Sequence, residues 1–267
     1  ALPWGERTFV MGIVNVTPDS FSGDGILDAE QAIAHAITQG RRADIIDIGA
    51  ESTRPGYIPV DEGTEIRRLL PVIGTVRSQS ADAIISVDTY KPEVFRAAHA
   101  AGADILNSVW GLPDALLEAA AEARVPVVIM HNKERAVYDG DVMDEVVRFL
   151  DEAARRAMRS GIPAEHVILD PGIGFGKTPD HNIHVLRELS RLVALGFPTL
   201  LGTSRKSTIG KLTGRPPKDR VAGTTATTAL AVAAGIDVVR VHDVDDAVDA
   251  VHVSDAIVRN WRPQGWT

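Results

Sequence analysis

The chain has 267 residues, of which 45% are hydrophobic and 24% charged, with a formal net charge of −8. That length suits one domain near the roughly 250 residues of a (β/α)8 barrel, and the acidic balance argues against a nucleic-acid partner, which needs a basic surface. There is no cysteine, hence no disulfide, thiolate metal site or cysteine nucleophile.

Short apolar runs recur along the chain at Phe9–Val14, Ile45–Ile48, Ala83–Val87, Asp104–Leu106, Val125–Met130, His166–Leu169, Thr199–Leu201 and Val238–Val241. Each has the length and composition of a buried parallel strand. Helix-period segments follow them. Asp28 is expected to cap a helix that carries Ile33, Ala36 and Ile37 on one face and stops at Gly40. Further helices are expected at Glu65–Ser80, Pro92–Ala101, Asp114–Ala123, Asp141–Ser160, Asn182–Leu195, Arg220–Ala234 and Asp245–Arg259. In the Asp141–Ser160 segment, Val142, Val146, Leu150, Ala153 and Ala157 form the apolar stripe. Strand and helix alternate eight times without a linker or a domain-sized shift in composition. A single (β/α)8 TIM barrel spanning residues 1–267 is therefore expected, ahead of a doubly wound open sheet. No apolar run approaches the roughly 20 residues that span a bilayer. The N-terminus lacks a signal-peptide pattern, so a cytoplasmic protein with no membrane partner is expected.

In a barrel of this kind the chemistry sits where the strands end. The apolar runs end successively at Asn15, at Glu51-Ser-Thr-Arg-Pro-Gly56, and at Asp88, Asn107 and His131. The last three lead into Asp170–Lys177, Gly202–Ser207, and the pair Arg240 and His242. Any one of these reads equally well as a strand-end turn, but eight polar endings on one rim point to a site. Asp88, Asn107 and Asp170 are acceptors suited to a flat heterocycle that presents N–H donors, such as a 2-amino-4-oxo ring. Two carboxylates could equally form an acid–base dyad. Arg240, His242 and Asn15 suit a diphosphate with Mg²⁺, which takes few protein oxygens and keeps its phosphates and waters. The bland reading of Arg240 is an ion pair with an interior carboxylate. Thr53-Arg54-Pro55 is a rigid polar turn that either holds a small carboxylate or shapes its loop. No HExxH, GxSxG or Walker pattern is present, and Gly172-Ile-Gly-Phe-Gly176 lacks the full dinucleotide fingerprint.

Taken together and in order, several motifs resemble the dihydropteroate synthase family. They are Asn15-Val-Thr-Pro-Asp-Ser-Phe-Ser, Glu51-Ser-Thr-Arg-Pro-Gly, Ser86-Val-Asp-Thr, Asp170-Pro-Gly-Ile-Gly-Phe, Ser204-Arg-Lys-Ser and Arg240-Val-His-Asp. The resemblance implies a homodimeric barrel that joins 6-hydroxymethyl-7,8-dihydropterin diphosphate to p-aminobenzoate with Mg²⁺ as cofactor. It implies that Asp88, Asn107, Asp170 and Lys206 hold the pterin, with Met130 and Phe175 lining its pocket. Asn15 would bind the metal, and Arg240 and His242 the diphosphate. Thr53, Arg54, Pro55, Lys206 and Ser207 would frame p-aminobenzoate, where sulfonamides bind in this family. Two departures stand out: the first loop reads Ser22-Gly23-Asp24-Gly25 where the family has Ser-Asp-Gly-Gly, and Asn107 is followed by Ser108 rather than Asp. The first shifts the acidic substrate contact to Asp24, within a Thr17–Gly25 stretch read as a lid with glycine hinges. Two competing readings share the fold. A pterin-binding methyltransferase would not need the first-loop motif or the cationic set, and a non-catalytic pterin-binding barrel would not need an intact one.

Overall fold

A computed structural model describes residues 2–16, 25–51 and 59–266. Asp24, Thr53, Arg54 and Pro55 lie outside the described residues, as does most of the Thr17–Gly25 stretch.

Eight parallel strands form one sheet in the order β6-β5-β4-β3-β2-β1-β8-β7. They are β1 (Phe9–Asn15), β2 (Ile45–Gly49), β3 (Ile84–Asp88), β4 (Ile105–Ser108), β5 (Val127–Met130), β6 (Val167–Asp170), β7 (Leu200–Leu201) and β8 (Val238–Val241). The two ends meet through a parallel bridge between Leu169 and Thr199, with the Leu169 amide donating to the Pro198 carbonyl at 2.8 Å. The sheet is thus a nearly closed barrel, as eight strand–helix units require. β7 is two residues long and is led in by Thr199, whose amide and hydroxyl both donate to Asp237 Oδ2, each at 2.9 Å.

The helices α1 (Gly25–Gln39), α2 (Glu62–Gln79), α3 (Pro92–Ala100), α4 (Asp114–Ala123) and α5 (Val142–Arg159) follow the first five strands. After them come α6 (Pro179–Arg187), α7 (Leu189–Val193), α8 (Ser207–Thr213), α9 (Val221–Ala234) and α10 (Val244–Val258). Their starts follow local chemistry. Asp61 caps α2 by accepting from the Thr64 amide at 2.9 Å, and Asp141 caps α5 by accepting from the amides of Met143 and Asp144.

Four expectations need correction. Asp28 lies inside α1, which begins at Gly25 and so needs no cap there. The α2 segment starts three residues earlier than Glu65 because Asp61 supplies its cap. The Asn182–Leu195 segment is two helices, broken at Glu188, whose ψ of 18° departs from helical geometry. On α5 the buried alanine is Ala154, not Ala153, since the stripe drifts around the helix at 3.6 residues per turn.

Two apolar layers result. A large one lies between strands and helices, and a small one fills the barrel with Phe9, Met11, Ile45, Ile105, Val128, Ile168, Leu200 and Val238. Trp4 closes the lower mouth edge-on against Phe9, at 5.6 Å between ring centroids. Among the described residues no helix is long and apolar enough to cross a membrane.

Candidate functional site

Side chains alternate along a strand, so the residues that fill the barrel fix which positions point inward above them. Counting two or four residues up from Phe9, Ile45, Ile84, Ile105, Val128, Ile168 and Val238 reaches Met11, Asp47, Asp88, Asn107, Met130, Asp170 and Arg240. Apolar rings therefore form the floor, and a polar ring stands on it at the carboxyl ends of the strands.

The centre of that ring is a buried charge cluster. The Arg240 guanidinium is held by Nε and Nη2 on Asp47 Oδ2, both at 2.6 Å, and Nη2 also reaches Asp88 Oδ2 at 2.8 Å. Asn107 Nδ2 donates to the same Asp47 oxygen at 3.1 Å, which turns its carbonyl oxygen away from Asp47 as the group's acceptor. Asp47 is fully buried. Burial opposes the Arg240 charge, but the two carboxylates more than offset this and keep its pKa raised. Burial pushes the Asp88 carboxyl up to about 7 against the pull of Arg240, with the nearby Asp47 charge adding to the rise. Asp47 Oδ1, Asp88 Oδ1 and Ser86 Oγ are buried polar atoms that find no hydrogen-bond partner among the described residues. Buried acceptors without a partner are what a ligand rich in N–H donors would satisfy.

Asp170 ends β6 beside Met130 in the strand register. Its Oδ1 accepts the Gly172 amide at 2.7 Å, yet burial still raises the carboxyl to about 6. The following loop is drawn tightly around Lys177, whose ammonium donates to His131 Nδ1 at 2.9 Å and to the carbonyls of Gly172 at 3.0 Å and Phe175 at 3.2 Å. Burial lowers Lys177 to about 7. Burial, helped by Lys177 and Lys133, lowers His131 to about 3, so its ring is neutral and can accept. Gly172 is obligatory here: with φ of +69°, a Cβ would lie 1.9 Å from the His131 carbonyl oxygen. From the other side, Asn182 Oδ1 accepts the Gly174 amide at 2.8 Å, while Asn182 Nδ2 donates to Thr208 on α8 at 3.0 Å. The loop so built presents the Phe175 ring, with the Lys206 ammonium 4.0 Å from its centroid.

His242 lies one inward position above Arg240, and its ring Nδ1 is 3.0 Å from Ser204 Oγ. Strands β1 and β8 are neighbours as expected, but Arg240 pairs in register with Met11 and sits two inward positions below Asn15. The arginine thus belongs to a deeper layer than the half-buried asparagine, which is why it meets Asp47 and Asp88. Ser207 is exposed at the start of α8. On the described side of the Thr53, Arg54 and Pro55 positions, Glu51 accepts from the Val60 amide, the Tyr90 hydroxyl and Lys91, which also pairs with Glu65.

The structure therefore joins Arg240 to Asp88 directly and to Asn107 through Asp47, places Asp170 beside Met130, and joins Lys206 to Phe175. Sequence reasoning missed Asp47, Lys177, Asn182 and Ser204. Asp47 had a readable signal, a lone carboxylate at the inward position of an otherwise apolar strand. Lys177 and Asn182 had none, because the way the Gly172–Gly176 loop folds back on itself and onto His131 and Thr208 leaves no periodic pattern in the chain.

A family model described as "pterin binding enzyme" matches residues 11–242. A dihydropteroate synthase of Clostridium beijerinckii is 44% identical over 262 residues, covering 96% of each chain. Among solved structures, a dihydropteroate synthase from Clostridium difficile, determined in the presence of pteroic acid, superposes with a TM-score of 0.93 at 45% identity, covering 97% of this chain and 100% of that one. A Xanthomonas albilineans dihydropteroate synthase with 4-aminobenzoic acid gives a TM-score of 0.91 at 47% identity, covering 97% of this chain and 95% of that one.

Proposed function

The chain belongs to the pterin-binding enzymes as a member of the dihydropteroate synthase family, and from that premise we propose that it joins 6-hydroxymethyl-7,8-dihydropterin diphosphate to p-aminobenzoate. The products are 7,8-dihydropteroate and pyrophosphate. One observation carries the reading: buried acceptors at Asp47, Asp88 and Asn107 gather around Arg240, and His242 follows just past the end of the same strand. Such a site takes a donor-rich heterocycle at its acid end and an anionic leaving group at its cationic end.

Asp88, Asn107 and Asp170 take the pterin N–H groups, while Met130 and the Phe175 ring with Lys206 enclose its faces. Arg240 stands at the seam, where Nε and Nη2 hold the acid cluster and Nη1 takes no part in those bonds. His242 hydrogen-bonds the diphosphate. The bond between the pterin methylene carbon and the diphosphate oxygen breaks, and its electron pair leaves with the diphosphate. The electron-rich ring carries the resulting positive charge, which the acid cluster favours. The p-aminobenzoate nitrogen, framed by Thr53, Arg54, Pro55, Lys206 and Ser207, then attacks the methylene and loses its proton. Positioning, rather than activation of the amine, is the contribution of these residues. Sulfonamides would compete for the same frame, and Asp24 would close over the bound substrates.

Asn15 would hold Mg²⁺ together with the substrate diphosphate. The donor set fits, because a hard cation carried by a diphosphate needs few protein oxygens, and among the described residues no group of three His, Asp or Glu side chains builds a protein cage. When bound, the ion neutralises charge on the leaving group. The protein works as one pterin-binding barrel domain over residues 1–267, in the cytoplasm, as a homodimer. Leu230 on α9 and Val253 and Ile257 on α10 support the dimer, since these are large exposed apolar side chains on two helices packed side by side.

The test is pyrophosphate release on mixing the pterin diphosphate, p-aminobenzoate and Mg²⁺ with the protein. Release that requires all three components is expected, and no release at saturating substrates would overturn the reading.

A further inference from the structure

The Ser204 hydroxyl, on a residue only 5% exposed, stands 3.0 Å from both the backbone nitrogen and the ring Nδ1 of His242. An amide N–H can only donate, so the Ser204 oxygen accepts it. The single hydroxyl proton is then available to the ring Nδ1, the acceptor set against it among the described residues; the oxygen's second lone pair could take an Nδ1–H only by leaving that proton without a partner. Donation to Nδ1 requires an unprotonated nitrogen there, which leaves the ring proton on Nε2.

We propose that Ser204 is a positioning residue that locks His242 in the Nε2–H tautomer, so that His242 meets the substrate diphosphate as a hydrogen-bond donor and not as a proton acceptor. This rests on the diphosphate reading of the preceding subsection. The surrounding backbone supports a fixed arrangement. The His242 carbonyl accepts from Gln39 Nε2 at 2.9 Å, so both backbone polar groups of His242 are engaged. Next along each loop, Arg205 Nε donates to Asp243 Oδ2 at 3.0 Å. Residues 204 and 205 are thus matched one to one with 242 and 243. Arg205 itself holds a left-handed φ of 57°, kept in place by its amide on Thr224 Oγ1 at 3.2 Å and by Arg220 Nη1 on its carbonyl at 2.8 Å. A left-handed arginine persists only where its neighbours over-determine it. In that tautomer the His242 ring would donate to the negative charge that grows as the carbon–oxygen bond breaks, and would transfer no proton in that step.

The test reads the tautomer directly. Long-range ¹H–¹⁵N correlation spectra of the full chain, with His242 assigned by loss of its signals in His242→Gln, are recorded near neutral pH with and without inorganic pyrophosphate. The expected pattern is a protonated Nε2 and a bare Nδ1 in both. An Nδ1–H tautomer or a doubly protonated ring in the wild type would overturn the proposal without any variant. In Ser204→Ala the two tautomers are expected to mix, with pyrophosphate affinity and kcat each falling about fivefold, of the order of a weakened charge-assisted hydrogen bond. The KM for p-aminobenzoate should stay unchanged, and Ser204→Thr, which keeps the hydroxyl, should restore the single tautomer. A Ser204→Ala protein that kept one Nε2–H tautomer and full pyrophosphate affinity would refute the role. Failure of the synthase reading registers separately, as absence of turnover in the wild type, whereas the tautomer is read on the protein alone.

Discussion

Replacing Asp47 by Asn removes the charge that holds Arg240 from below while keeping the side chain's size. Two guanidinium nitrogens lie 2.6 Å from one Asp47 oxygen. A charge pair at that distance attracts by roughly 6 kcal/mol at an effective dielectric of about 20, most of which the desolvation of two buried ions offsets. Breaking such a pair from one side leaves a buried cation short of its partner and costs about 3–5 kcal/mol. Here Asp88, at 2.8 Å, retains part of the guanidinium's compensation, so a loss of about 2–3 kcal/mol is expected. Guanidinium unfolding near neutral pH measures it as a lower midpoint at unchanged slope. Turnover should fall further than stability, because the guanidinium is no longer pulled onto Asp47. A double variant, Asp47→Leu with Arg240→Met, should recover part of the stability but not the activity, since the apolar pair suffers no desolvation penalty while Asp88 and Asn107 lose their partners. An Asp47→Asn protein with an unchanged midpoint and wild-type turnover would refute the view that this cluster organises the site.

Asp88, raised to about 7, and Asp170, raised to about 6, bind protons more tightly folded than unfolded. Their contribution to stability is therefore complete below the ordinary aspartate pKa and is lost as pH rises through about 6 and 7; thermal melts of the protein without ligand should show that fall, and Asp88→Asn should flatten its upper part. If the ionised carboxylate favours the developing cation, kcat/KM should rise through an apparent pKa near 7 that Asp88→Asn abolishes, and a profile identical in the variant would remove Asp88 from that role. Lys177→Met leaves the Gly172 and Phe175 carbonyls without their ammonium, so the KM for the pterin diphosphate should rise about tenfold while that for p-aminobenzoate holds; equal changes in both would mark Lys177 as a fold residue only. Gly172→Ala drives a Cβ to 1.9 Å from the His131 carbonyl, and a stability loss above about 3 kcal/mol is expected by chemical denaturation; a loss under about 1 kcal/mol would show that the loop relaxes cheaply.

The strand positions, their number and the polar rim at their carboxyl ends were all legible in the chain, because burial on both faces of a parallel strand forces a short apolar run and a polar residue marks where it leaves the barrel. Asp88, Asn107 and Asp170 were legible for the same reason. Helix starts were less so: the cap that decides where α2 begins is an Asp61–Thr64 contact, and the break between α6 and α7 leaves no clear mark in the apolar pattern. What only the tertiary structure decided is which charges meet. Arg240 could be read as a diphosphate ligand or as an ion-pair partner, and the strand register settles its depth by setting it level with Met11, where its fork reaches carboxylates 193 and 152 residues away in sequence. Lys177, Asn182 and Ser204 are likewise ordinary polar residues until the barrel closes around them. Periodicity records burial, which is local, whereas compensation of a buried charge or an unpaired hydrogen-bonding group depends on a partner that folding alone brings within 3 Å.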